Sequence, residues 1–156
     1  MKKIGVIGRG FVGSAVEFGF SAQCGCNAIV KSYDIDESRK KDSLEDTVNY
    51  SDFIFVSVPT PSYSSGIDLS FLKSALKSIQ DVNKRTDNII LIRSTIVPGT
   101  TKKLDHVFRN LNIVFNPEFL TERSAKFDFI NQSRFIIGGN AKYTDRVANL
   151  YKWRFG

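Results

Sequence analysis

The sequence predicts a three-layer α/β domain, a mostly parallel sheet with helices on both faces. Three observations predict it. Short solid apolar runs alternate with longer segments of helical spacing from one end of the chain to the other. The runs are unbroken, as strands covered on both faces require, where half-exposed strands would alternate apolar with polar residues. Gly, Pro, Ser or Asn separates neighbouring segments.

Six apolar runs are expected as strands, at residues 3–7, 28–33, 53–58, 88–93, 112–115 and 134–137. After the first, Val12, Ala15 and Val16 form a helical stripe. After the second, the interval between Asp34 and Ser51 holds one or two short helical pieces, including a helix over 44–49 capped by Ser43. It has no room for a helix, a full strand and another helix, so a strand beyond the second is missing or vestigial. Residues 62–66 read as a loop. Leu72, Ala75, Leu76 and Ile79 form the next stripe, with Ser70 as the expected cap. Leu104, Val107, Phe108 and Leu111 form another, started by Thr100 and Thr101 just after Pro98-Gly99. The last segment, 144–151, has helical spacing through Val147, Ala148 and Tyr151.

The 156 residues, 42% hydrophobic and 24% charged, suit one domain over 1–156, with no linker, internal repeat or low-complexity tract. A chain of this length buries enough surface to fold without disulfide or metal. Cys24 and Cys26 are too close for an ordinary disulfide and too few for a zinc site, so they read as reduced thiols in a cytoplasmic protein. The net charge of +6 favours anionic ligands, yet no basic stripe or groove-entry motif argues for nucleic acid. Arg9 interrupts the N-terminal apolar run, which reads as a buried strand and not as a signal peptide, and no run is long enough to span a membrane.

Gly8-Arg9-Gly10-Phe11-Val12-Gly13 follows the first strand and opens the first helix. Alone, this spacing is weak. Here it sits in the full context of strand, glycine loop, helix, second strand and acidic residue, which is the Rossmann-like dinucleotide-binding arrangement. Gly8 allows the tight turn, Gly10 the approach of a pyrophosphate, and Gly13 the packing of helix on strand. The helix N-terminus then offers unpaired N–H groups to the phosphates. Asp34 lies 26 positions after Gly8, near the roughly 20 expected for a carboxylate that grips the adenosine ribose. Its charge favours NAD over NADP. Arg9 and Arg39 leave that choice open, because a guanidinium beside the ribose would welcome a 2′-phosphate.

Further motifs follow in order: SVPTP at 57–61, RSTIVPGTT at 93–101 and NPEFLTE at 116–122. On a glycine-loop fold these resemble the NAD-binding N-terminal domain of the UDP-glucose/GDP-mannose 6-dehydrogenase family, and the likeness runs to about Gly139. The resemblance implies an oxidoreductase that converts the C6 hydroxymethyl of a nucleotide sugar to a carboxylate, passing two hydrides to two NAD molecules by way of a thiol-linked intermediate. It implies that Asp34 and Arg39 hold the adenosine end of NAD and that Thr60 and Thr95 line the cofactor. Thr95 also matches a threonine that positions the catalytic water. Glu118, Phe119 and Leu120 match residues that approach the sugar nucleotide, and Glu122 an acid that assists proton transfer in thioester hydrolysis. Both threonines and both glutamates fall just past expected strand ends, where ligands collect in such sheets.

Three departures accompany the likeness. The stretch between Asp34 and Phe53 is short for the family, Arg123 stands where glycine is usual, and the expected chain lacks the central helix and sugar-nucleotide domain that carry the family's cysteine, lysine, asparagine and aspartate. Asp128 and Arg134 keep the pattern leading into FIIGG. Cys24 and Cys26 fall on the wrong side of the sheet to replace the nucleophile, and His106 reads as a solvated or capping residue. The expectation is therefore an NAD domain incomplete by itself, with a nucleotide sugar as substrate only if a complementing part exists. A non-catalytic NAD(H)-binding module and a β-hydroxyacid-type dehydrogenase remain the alternatives. NPEFLTE speaks against the last.

Overall fold

Each central apolar run buries both of its faces, and that fixes the layers. The computed structural model describes all residues from Met1 to Gly156. In chain order it contains β1 (Lys2–Ile7), α1 (Phe11–Gly19), β2 (Ala28–Tyr33), α2 (Leu44–Tyr50), β3 (Phe53–Val56), β4 (Ser62–Tyr63), β5 (Gly66–Ile67), α3 (Ser70–Val82), β6 (Ile89–Ile92), α4 (Thr100–Val107), β7 (Asn112–Phe115), α5 (Ala125–Asn131) and α6 (Ala141–Phe155). Five strands pair in parallel in the order β2-β1-β3-β6-β7. Side chains alternate between two cores, as the period of two demands. Ile4, Val6, Phe53, Phe55, Ile89, Leu91 and Val114 pack under α1, α5 and α6. Ile7, Ile54, Val56, Ile90, Ile92 and Ile113 pack under α2, α3 and α4. The fold is the expected three-layer, Rossmann-like one.

The order also settles the short interval after Asp34. The sheet continues from β1 to β3 on one side and stops at β2 on the other, so no third strand covers the outer edge of β2. A side chain and a turn stand in for it. Ser32 donates its N–H to Asp42 Oδ2 at 2.8 Å, and its carbonyl accepts from Asp42 N at 2.8 Å and Lys41 N at 3.3 Å. The next segment is α2, capped as expected by Ser43, whose hydroxyl accepts from Asp46 N.

Four local expectations are corrected. Residues 134–137 form no strand; Phe115 and Gly138 exchange both backbone hydrogen bonds at 2.8 Å in one antiparallel bridge, and the irregular segment before it holds Phe135 stacked on Tyr151 instead. Residues 62–66 contribute to a small hairpin of β4 and β5. Ser70 is the first helical residue of α3 and the cap position falls on Leu69, because Asp68 already accepts the Ser70 N–H at 2.8 Å. The third stripe is only half helical. The chain turns into β7 after Val107, which is exposed, while Phe108 and Leu111 reach the core from the turn.

Candidate functional site

The glycine loop is built by contacts that exclude side chains at two positions and leave space at a third. Gly8 has φ +87°, and a Cβ there would meet the Ser57 carbonyl oxygen at 2.3 Å. A Cβ on Gly13 would lie 1.8 Å from the Gly8 carbonyl oxygen, so α1 can approach β1 only through glycine. At Gly10 a Cβ would meet nothing within 4 Å. Gly10 is the N-cap of α1, with no side-chain cap and no acidic residue in the first turn. The helix therefore presents uncapped N–H groups and its positive end to an open space, the condition for holding a diphosphate.

Asp34 follows β2 and is buried. Its Oδ2 accepts from Arg9 N at 2.6 Å and its Oδ1 from Asp36 N at 2.8 Å. Two main-chain donors thus fix the carboxylate beside the loop. A carboxylate offers about four acceptor sites, so capacity for ribose hydroxyls remains. The flanking turn is held by Asp36, which accepts from Ser38 N at 2.9 Å and Ser38 Oγ at 2.7 Å; these bonds hold its carboxyl below the usual range.

A cleft of about 640 Å³ opens at the carboxyl ends of the strands. Gly8, Gly10, Phe11, Val12, Asp34, Arg39, Thr60, Thr95 and Glu118 all line it, so most of the residues singled out by sequence meet in one place. Gly13 supports the loop from beneath. Thr60 Oγ1 donates to the Thr95 carbonyl at 2.7 Å, and Ser94 Oγ to the Val58 carbonyl at 2.6 Å, which joins the loops after β3 and β6. The sugar-side residues divide. Glu118 faces the cleft and its Oε2 accepts from Leu120 N at 2.6 Å. Leu120 packs against the core under α1, and Phe119 is exposed beneath the Arg134 guanidinium, 5.6 Å from its ring centroid. Glu122 is exposed on a 3₁₀ turn and lines a smaller groove of about 360 Å³ with Phe11, Ser14 and Phe127. Phe11 is the residue common to both spaces.

Cys24 and Cys26 are free thiols that precede β2, at the opposite end of the sheet from the cleft, and burial pushes the Cys26 thiol up. His106 is exposed on α4. No cluster of metal-ligating side chains occurs, and no helix is long and apolar enough to cross a membrane.

Sequence reading missed one wall. Phe71, Ser74, Ala75 and Ser78 of α3 line the cleft opposite the glycine loop. The signal was present in Ser70, Ser74 and Ser78, small polar residues four apart on the face turned away from Leu72, Leu76 and Ile79.

Comparison with known proteins agrees with this geometry. The UDP-glucose/GDP-mannose dehydrogenase family, NAD binding domain, matches residues 38–154. An uncharacterized protein of Methanocaldococcus jannaschii is 32% identical over 191 aligned residues, covering 96% of this chain and 20% of that protein. UDP-glucose 6-dehydrogenase of Campylobacter jejuni is 34% identical over 103 residues, covering 64% of this chain and 25% of the enzyme. The chain thus spans about a fifth to a quarter of the length of these curated relatives. In fold, a UDP-glucose dehydrogenase from Pyrobaculum islandicum superposes with a TM-score of 0.78 at 24% identity, over 97% of this chain and 44% of that one. A glycine loop closed by backbone contacts, an acid after the second strand and a family match across three quarters of the residues converge: the chain belongs to the UDP-glucose/GDP-mannose dehydrogenase family and comprises its NAD-binding domain.

Proposed function

We propose that this chain is the cofactor-holding part of a nucleotide-sugar 6-dehydrogenase, which oxidises the C6 hydroxymethyl of a nucleotide sugar to a carboxylate once a thiol-bearing, sugar-binding part completes the site. The observation that carries the reading is the single cleft in which the uncapped start of α1, Asp34, Thr60, Thr95 and Glu118 meet. When bound, NAD supplies the hydride acceptor. The chain's own groups do the holding. The first N–H groups of α1 and the open side of Gly10 receive the diphosphate, and Asp34 receives the adenosine ribose, with Arg39 at its rim. Thr60 commits its proton to the Thr95 carbonyl and so presents its oxygen as an acceptor. The Thr95 hydroxyl is the group assigned to the cofactor and to the attacking water. Glu118 and Phe119 approach the sugar nucleotide, Leu120 anchors that segment in the core, and Glu122 assists proton transfer from the neighbouring groove.

Purified chain alone is expected to give no NADH absorbance with NAD and UDP-glucose, while a mixture with the complementing part of a family enzyme restores it. Failure with every nucleotide sugar and every complementing part overturns the enzymatic reading. A second reading is an NAD(H)-binding module acting on a partner without turnover, which the same cleft would serve unchanged. Calorimetric titration with NADH addresses both readings, since no heat removes them together.

A further inference from the structure

Resting on the assignment of the cleft to NAD, we propose that Glu17 sets the preference for NAD over NADP by holding the Arg9 guanidinium away from the ribose 2′ position. Arg9 occupies the middle of the glycine loop, and its N–H is bonded to Asp34. Its side chain therefore starts beside the carboxylate that faces the ribose, where a free guanidinium would pair with a 2′-phosphate.

In the structure that guanidinium is turned along α1. Its Nε donates to Glu17 Oε2 at 2.8 Å, and its Nη1 donates to the Arg39 carbonyl. The Arg9 and Glu17 side chains are only 16% and 17% exposed, so the pair lies in a less screened setting than an ordinary surface ion pair. Lys41 binds the other oxygen of the same carboxylate. Burial opposes the charge of Glu17, yet the bonds from Arg9 and Lys41 outweigh it and hold its carboxyl below the usual range. Arg39, the third cation of this corner, has Nε 3.6 Å from Asp36 Oδ2. Each cation near the ribose end is matched to a carboxylate, while Asp34 accepts only main-chain N–H groups and has no ion-pair partner. The negative charge facing the ribose is left uncompensated. A 2′-phosphate would meet it with the Arg9 guanidinium engaged on Glu17 and only the exposed Arg39 at the rim to offset the repulsion.

The test is fluorescence titration of the full chain with NADH and with NADPH, for wild type, Glu17→Gln, Glu17→Asp and the double variant Glu17→Gln/Arg9→Gln, each checked for folding by circular dichroism melting. Wild type is expected to prefer NADH. Glu17→Gln is expected to shift the affinity ratio toward NADPH by about tenfold, the scale of one charge-assisted phosphate contact. Glu17→Asp shifts it less and in the same direction, which keeps the test available if the glutamine variant does not fold. The double variant loses the gain. Wild type binding NADH with an unchanged ratio in the folded Glu17 variants overturns the role of Glu17 alone. A gain that persists in the double variant also overturns it, because Arg9 is then not the group released. Wild type that fails to bind NADH overturns the cofactor assignment and this proposal with it.

Discussion

Thr60 donates its hydroxyl to the main-chain carbonyl of Thr95 across 2.7 Å, linking the loop after β3 to the loop after β6. Ser94 makes a parallel link to Val58. The two loops therefore form the rim of the cleft as a unit, and the position of the Thr95 hydroxyl depends on a residue 35 places earlier. Thr60→Val removes the donor while keeping the shape. Loss of one such bond, net about 1 kcal/mol, is expected to lower the melting temperature by about 2–4 °C, and loss of the Thr60 oxygen as an acceptor to weaken NADH binding about fivefold. Titration beside a thermal melt checks this, and an unchanged dissociation constant would show that the rim does not contact the cofactor.

The three loop glycines separate folding from binding. Gly13→Ala drives a methyl into the Gly8 carbonyl and is expected to destabilise the fold by at least about 2 kcal/mol. Gly10→Ala meets no atom, and its φ of −69° suits alanine, so stability should stay within about 1 kcal/mol of wild type. Its methyl occupies the space assigned to the diphosphate, so NADH affinity should fall steeply. Urea unfolding and NADH titration of both variants measure the two effects. Gly10→Ala binding NADH as wild type does would place the diphosphate elsewhere.

What was legible in the sequence follows from what determines it. The inner strands were readable because each is apolar on both faces, as Ile54 and Phe55 report directly, while the edge strand β2, with Lys31 and Ser32 in it, was readable from its apolar start and from Asp34 at its end. The same rule misled at 134–137, where Phe135 and Ile137 support the α6 layer from an irregular segment and Gly138 makes the single bridge. α5 was missed because seven residues give fewer than two full turns of pattern and, unlike the equally short α2 with Ser43, no side chain caps it, while its Phe127 is exposed and Phe129 buried. The loop, Asp34 and the two threonines could be placed along one cleft from the sequence because motif and strand end coincide. The placement of Glu122 outside the main cleft depends on the Asp128 contacts that fold its turn, and local spacing carries no trace of those.

Beneath the strand ends lies a buried cation without a carboxylate. Arg93 is 1% exposed. Its Nη1 donates to the Asn116 carbonyl at 3.2 Å, to the Asn116 side-chain oxygen at 2.8 Å and to the Tyr151 hydroxyl at 3.4 Å, while Nε and Nη2 have no protein partner. Tyr151 in turn donates to Asn116. Such a network specifies packing more than it stabilises. Arg93→Met is expected to be neutral or stabilising, whereas Asn116→Ala, which removes the one side-chain oxygen that accepts from both Arg93 and Tyr151, should cost about 1–3 kcal/mol. Burial pushes the Tyr151 hydroxyl above its ordinary value of 10.0. A group raised in the folded state lends stability that is complete below the ordinary value and lost as pH rises toward the folded one. Wild type should therefore weaken above about pH 10 and Tyr151→Phe should flatten that decline. Urea unfolding at pH 7 and pH 10.5 tests it, and parallel declines would remove Tyr151 as the cause.

Asp128 shapes the turn that carries Glu122. Its Oδ2 accepts from Thr121 N, Thr121 Oγ1 and Ser124 Oγ, each at 2.9 Å, and these bonds, led by the Thr121 N–H, hold its carboxyl below the ordinary 3.8. A carboxyl depressed in the folded state contributes order that is present above its ordinary value and lost as pH falls through the folded one. Asp128→Asn replaces a charged acceptor by a weaker one and puts an amide where one of the donors must be accommodated. Amide exchange at residues 121–124 should consequently be faster in the variant than in wild type at pH 7, and the two should converge only as pH falls past the ordinary 3.8 and on through the depressed folded value, where wild-type Asp128 takes up its proton. In a complemented enzyme the same variant should lower turnover more than cofactor affinity, since Glu122 lies beside the cleft and not in it. Identical exchange at pH 7 would mean that the backbone alone forms the turn, and Glu122 would then owe its position to Ala125 and Phe129 anchoring α5 in the core.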